Sequence, residues 1–152
     1  MRKQTRRKIW NTGVNSVMHA IVGAAVLDDE SAKVLRDTEA AALEAFRTGT
    51  ATKQSWNDIN AAVSIAESMA AAGIGPEVLI HVKIAEMHLR DARDRFVRIG
   101  KMGTTGPGLQ SFKDILEYHE LQRTSIARNV YEQHIEKVTN MIRSKSPKII
   151  FL

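Results

Sequence analysis

The chain has no cysteine among its 152 residues, only three prolines, and aromatic side chains at 5% of positions. Without cysteine there is no disulfide scaffold, no thiolate zinc site and no thiol catalysis, and the chain suits a reducing compartment. No apolar run approaches the roughly 20 residues of a membrane span. Motifs that name a chemistry are missing too. There is no His-Glu-x-x-His zinc signature and no Glu-x-x-His pair of the di-iron kind. No serine sits in a Gly-x-Ser-x-Gly elbow. The glycine-rich run Gly100–Gly108 lacks the Gly-Lys-Ser/Thr ending of a phosphate-binding P-loop, and Pro107 removes one of its N–H donors. These absences predict a non-enzymatic protein with no cofactor and no metal.

What is present begins with charge. The formal net charge is +5, and Arg2, Lys3, Arg6, Arg7 and Lys8 account for all of it; the other 17 basic residues balance the 17 acidic ones. A basic tip on a neutral body suggests an arm that reaches a polyanion rather than a surface that cradles one. Trp10 follows, an aromatic able either to stack on a base or to anchor on the body. A smaller basic group, Arg143, Lys145 and Lys148, lies near the other end. Thr5–Trp10 followed by an apolar stretch has the layout of a twin-arginine export signal. Asn15, Ser16 and His19 interrupt that stretch, however, and Asp28-Asp29-Glu30 follow it at once. The expected location is therefore cytoplasmic.

The hydrophobic content of 43% predicts a folded chain, and its periodicity is helical throughout. Val78, Val82, Ala85, Leu89, Ala92, Phe96 and Ile99 recur at steps of four and three. This makes Pro76–Ile99 a helix about 36 Å long, with proline at its start and Gly100 at its stop. The spacing predicts this helix as the spine of the domain. Its exposed faces carry Glu86→Arg90, Asp91→Arg95 and Asp94→Arg98, acid-before-base pairs four residues apart.

Other helices arrange around the spine. Asn15 or Ser16 caps one running to Leu27, with Val17, Met18, Ile21, Val22, Ala25 and Val26 apolar and His19 among them. Asp28 caps the next, over 29–48, with Leu35, Ala42 and Phe46 inward and Val34, Ala41 and Ala45 beside them. Thr52 or Ser55 caps a third, to about Ala72, where Ser55 and Asp58 form a weaker relative of the capping box. Its stripe is Trp56, Ile59, Val63, Ala66 and Ala70, and its many alanines allow close approach to a neighbour. The tight Gly73–Pro76 turn predicts that it packs antiparallel to the spine. After the loop 100–108 a helix over Leu109–Arg123 turns Leu109, Phe112, Ile115, Leu116 and His119 inward. The chain either breaks at Thr124–Ala127 or continues through it; a last helical stripe carries Tyr131, Ile135, Val138 and Ile142. Ser146-Pro147 ends helical structure and leaves an apolar tail, Ile149, Ile150, Phe151 and Leu152, which docks on the chain's own core or on a partner.

Two clusters of titratable residues are candidate sites. His81 and His88 lie two turns apart, about 10 Å along the axis, too far to share one ion. Glu117-Tyr118-His119-Glu120 places its groups on different faces of one helix. The expectation there is a half-buried His119 with Tyr118 at the rim.

Met1–Trp10, the run Ala45–Thr52 with Trp56 soon after, and Met102–Arg123 together resemble small hypothetical proteins encoded in prophages and mobile elements of proteobacteria. The resemblance covers about a third of the chain and brings no functional residues with it. It implies a bacterial cytoplasm, a mobile-element gene, and binding rather than catalysis.

The expected architecture is all-α: a basic arm (1–13), one helical domain of five or six helices (14–146) and an apolar tail (147–152). The expected function is an accessory protein that binds nucleic acid or a nucleoprotein through Arg2, Lys3, Arg6, Arg7, Lys8 and Trp10. The alternative is a protein-binding inhibitor or adaptor acting on a host complex, such as an anti-defence factor, with Ile149–Leu152 as the contact. Self-association through that tail is a further possibility; a membrane is not an expected partner.

Overall fold

A computed structural model of the protein describes residues 29–152. The basic arm, Trp10, the expected helix over 15–27 and the cap at Asp28 all lie outside the described residues. Those described form five α-helices: α1 (Asp29–Thr48), α2 (Lys53–Ala71), α3 (Leu79–Ile99), α4 (Gly106–Thr124) and α5 (Arg128–Arg143). A 3-10 turn, Pro76–Val78, leads into α3, and no strand occurs among the described residues.

Local chemistry sets the boundaries. Thr52 caps α2 in a full capping box: its Oγ1 accepts from the Ser55 N–H at 3.3 Å, and Ser55 Oγ accepts from the Thr52 N–H at 3.1 Å. The box is thus Thr52 with Ser55, not Ser55 with Asp58. Thr105 caps α4, accepting from the Gly108 N–H at 3.1 Å. That starts α4 at Gly106, three residues earlier than the glycine content of the loop suggested. Pro107 sits in the first turn, where a missing N–H costs nothing. At the other end of α4, hydroxyls do what glycine or proline does elsewhere. Thr124 Oγ1 donates to the Glu120 carbonyl at 3.0 Å and Ser125 Oγ to the Gln122 carbonyl at 2.7 Å. With the last carbonyls met, Ala127 is free to turn extended (φ −70°, ψ 150°) and α5 begins.

The centre of the bundle is α2, not the expected spine. Thirteen of its nineteen residues are buried, against five of twenty-one in α3. Trp56, Ile59, Ala62, Val63, Ala66 and Ala70 face a core shared with α1, α3 and α4. Ala61, Ile65 and Met69, on the other side, pack with Leu35 of α1 and Tyr131, Ile135 and Val138 of α5. Alanine makes this possible, because a helix with short side chains can be approached from several directions at once. α3 runs antiparallel to it, as expected: Trp56 Nε1 donates to the Leu89 carbonyl at 2.9 Å near one end, and Lys83 bonds Glu67 at 2.8 Å near the other.

The predicted stripe of α3 holds only where α2 lies beneath it. Val78, Val82, Ala85, Leu89 and Ala92 are buried, but Phe96 is half-buried and Ile99 is 50% exposed. Here α3 runs past the start of α2, where Lys53 lies over the Phe96 ring, 5.3 Å from its centroid. On α1, Leu35, Ala42 and Phe46 are buried as expected, while Val34 and Ala41 face solvent. Phe46 meets Phe112 of α4 edge to face, centroids 5.2 Å apart.

The tail divides. Ile149 joins the α5 side of the core and Ile150 the α3 side, and Asn60 Nδ2 donates to the Ile150 carbonyl at 3.0 Å. Phe151 and Leu152 stay 43% and 38% exposed.

Candidate functional site

The functional residues expected from the sequence fall in two places. Arg2, Lys3, Arg6, Arg7, Lys8 and Trp10 lie outside the described residues. Of the tail, Ile149 and Ile150 pack into the chain's own core, and only Phe151 and Leu152 are left exposed.

Among the described residues the main polar assembly joins α1, α4 and α5, and its key member was not singled out in the sequence. Glu39 occupies the inner stripe of α1, four after Leu35 and three before Ala42. Arg123 of α4 meets it in a two-pronged pair, Nη1–Oε1 2.9 Å and Nη2–Oε2 3.0 Å, with both side chains 5% exposed. Arg123 also bonds Glu120, Nε to Oε2 at 2.9 Å, and Arg36 of α1 reaches Glu120 at 3.0 Å. Burial raises the Glu39 carboxyl above its ordinary range, against the pull of Arg123. Burial also opposes the Arg123 charge, but the hydrogen bond and charge of Glu39 outweigh it and hold the guanidinium protonated. A carboxylate in the middle of an apolar stripe was the signal available in the sequence.

His119 lies beside this pair and is fully buried, deeper than the half-buried position expected. Its ring contacts Gln122 Oε1 and Tyr131 Oη, both at 3.3 Å. Burial, with the nearby Arg123 charge, lowers its pKa to about 3, so it is neutral at physiological pH. Burial raises the Tyr131 phenol to about 12. Gln122 ties the assembly to α2 and the turn after it, donating to the Ala66 carbonyl at 3.2 Å and the Ile74 carbonyl at 2.9 Å. The geometry is that of an internal clasp: its core pair and His119 are closed to a substrate.

One serine–histidine contact has the reach of a nucleophile and a base. Ser68 Oγ lies 2.8 Å from His134 Nδ1. Ser68 is in the interior of α2 and buried, where backbone N–H groups are taken up by the helix itself. Acyl chemistry needs N–H donors aimed at a developing oxyanion, and a helix interior does not offer them. The contact joins α5 to α2, and burial, followed by the charge of Lys137, lowers the His134 pKa.

The other two described histidines, His81 and His88, have separate surroundings. His81 stacks on Tyr118 with centroids 4.3 Å apart. The His88 ring lies against the first turn of α4, where a Cβ on Gly108 would come within 3.2 Å of Nδ1. No group of three or more metal-ligating side chains occurs among the described residues, and no described helix is long and apolar enough to cross a membrane. Glu86, expected to pair with Arg90, is buried and bonds Lys83 at 3.3 Å.

Sequence reasoning also missed the outer face of α3. Ile80, Ile84 and Met87 are 65%, 41% and 50% exposed, and their i, i+4, i+7 spacing places them on one line off the buried stripe. No family model, curated protein or solved structure matches the chain.

Proposed function

We propose that the chain is a non-enzymatic binding protein whose basic arm contacts nucleic acid or a nucleoprotein. The observation that carries this reading is the charge distribution: Arg2, Lys3, Arg6, Arg7 and Lys8 hold the entire net charge of +5, and the rest of the chain is balanced. Each phosphate neutralised by such an arm releases counterions, so affinity falls steeply with salt. Trp10 adds a stacking surface that tolerates any base. The resemblance to prophage and mobile-element proteins supplies the context, an accessory factor in a bacterial cytoplasm. Full-length and 2–8-deleted protein, titrated with mixed duplex DNA and structured RNA at low and near-physiological salt, test the reading. Salt-sensitive binding that disappears with the arm is the expected result; no binding by either form overturns it.

A second reading, an adaptor or inhibitor that engages a host protein, is favoured by the exposure of Phe151 and Leu152 beside the buried Ile149 and Ile150. It predicts a protein partner whose binding survives deletion of 2–8 and is lost in Phe151→Ala/Leu152→Ala.

A further inference from the structure

α3 carries two apolar lines, and the bundle covers only one. The uncovered line, Ile80, Ile84 and Met87, gives way to charge in the second half of the helix. Residues 90–101 hold Arg90, Arg93, Arg95, Arg98 and Lys101 against Asp91 and Asp94, a local excess of +3. Asp94 is taken up by Arg93 at 3.1 Å. Arg95 and Arg98 are exposed and enter no ion pair among the described residues.

The other end of the same face has the opposite sign. α4 runs antiparallel to α3, with His81 stacked on Tyr118 and the His88 ring against Gly108. The last turns of α4 therefore flank the start of α3, and Leu121 there is 65% exposed. Residues 76–86 and 114–124 hold Glu77, Glu86, Asp114, Glu117 and Glu120 against Lys83 and Arg123, a local excess of −3. Glu77 and Glu117 are exposed and, like Arg95 and Arg98, enter no ion pair among the described residues. A body that is balanced as a whole is thus polarised along α3.

This face complements itself when turned end for end. Position 86 is midway between Glu77 and Arg95, and Ile84 and Met87 flank that midpoint. Setting Ile84 of one copy against Met87 of another, with the two helices antiparallel, puts 77 opposite 94. Glu77 is then within one residue of Arg95 and about one turn from Arg98. Asp91 comes opposite Ile80 and has Arg95 four residues along its own helix. The arrangement is isologous: each copy offers the same apolar line and both charges, and the pair closes with two-fold symmetry. Opposite charges at both ends fix the direction and register of such a contact, and the apolar centre supplies its burial.

We propose that the outer face of α3 is the contact between two copies of this chain, paired antiparallel about Ile84 and Met87 with Glu77 of each copy against Arg95 of the other. The proposal stands on the described helices and does not depend on the arm or its ligand.

Sedimentation equilibrium of the full chain over a concentration series tests it. A reversible monomer–dimer equilibrium is expected, and Ile84→Asp is expected to raise its dissociation constant about ten-fold or more. Glu77→Arg and Arg95→Glu, each alone, set like charges together and are expected to weaken pairing. Mixed in equal amounts, the two variants again meet with opposite charges at both contacts. The mixture is expected to associate about ten-fold or more tightly than either variant by itself. A chain that stays monomeric throughout, its outer face covered by its own segments or by nothing, overturns the proposal. So does a dimer that Ile84→Asp leaves intact, which would put the contact elsewhere, for example at Phe151 and Leu152. Failure of the two charge variants to pair on mixing overturns it as well.

Discussion

The pair Glu39–Arg123 shows how one residue in the wrong-looking place organises its surroundings. Both side chains are 5% exposed and doubly hydrogen-bonded, so removing one leaves the other charged and buried. Glu39→Leu or Arg123→Met alone is expected to cost about 3–5 kcal/mol in urea unfolding, and the double variant less than either single one. Equal and additive losses would show that the two groups act independently. His119 gives the residue scale its pH dependence. Its folded pKa, about 3, lies below the ordinary value of 6.5, so the unfolded chain binds more protons between those values. Its contribution is therefore present above pH 6.5 and fades as pH falls towards 3, by up to about 1.4 kcal/mol per pH unit. His134, also lowered, acts in the same direction, while Glu39, raised by burial, contributes with the opposite sign. Stability measured from pH 7 to pH 5 is expected to decline, and His119→Gln is expected to flatten that decline whatever it does to the absolute value. At this scale the sequence was legible where side chains are apolar: Leu35, Ala42, Phe46, Phe112 and Ile115 are buried as their spacing implied. Glu39 was not, because its burial depends on a guanidinium 84 residues away, and no local pattern encodes that distance.

Among the helices, the central position of α2 follows from its alanines. Hydrophobic periodicity is clearest in the helix with a single stripe, and that is α3. The helix buried on more than one side has a less distinct stripe, because its second face is apolar as well: Ala61, Ile65 and Met69 back onto Trp56, Ile59 and Val63. The alanines were visible, but their consequence requires knowing how many neighbours a helix has. If close approach is what they provide, Ala66→Leu, at a position with no exposure, is expected to destabilise by about 1–3 kcal/mol through overpacking. Ala71→Leu, five residues on and exposed, is expected to change stability by less than about 0.5 kcal/mol. Thermal or urea unfolding of the two variants checks this; similar effects at both sites would contradict a closely packed α2. The α4–α5 break was open in the sequence for a related reason. Thr124 and Ser125 end a helix only if their hydroxyls turn back onto its carbonyls, as they do here.

At the scale of the whole molecule, structure and charge separate. The described helices form a body held together by α2 and the clasp around Arg123, with Ile149 and Ile150 tucked into it. The excess positive charge lies entirely in residues 2–8. Among the described residues, the all-helical class and the approximate positions of the five helices could be read from spacing and capping residues, because those are local. The candidate site was legible only as a composition, since an arm's partner leaves no periodicity. The outer line of α3 was present as Ile80, Ile84 and Met87, but it becomes noticeable only once the bundle has covered the other face. The proposed contact between the arm and a polyanion is tested most directly by the salt dependence of binding. Affinity for duplex DNA is to be measured across a salt series for the full chain and for a variant with Arg2, Lys3, Arg6, Arg7 and Lys8 replaced by glutamine. The account predicts a slope of log affinity against log salt of magnitude up to about 4.5 for the full chain, since each of five neutralised phosphates contributes about 0.9. It predicts a slope near zero, with binding lost, for the variant. The same slope in both proteins, or no binding by the full chain at low salt, would contradict it.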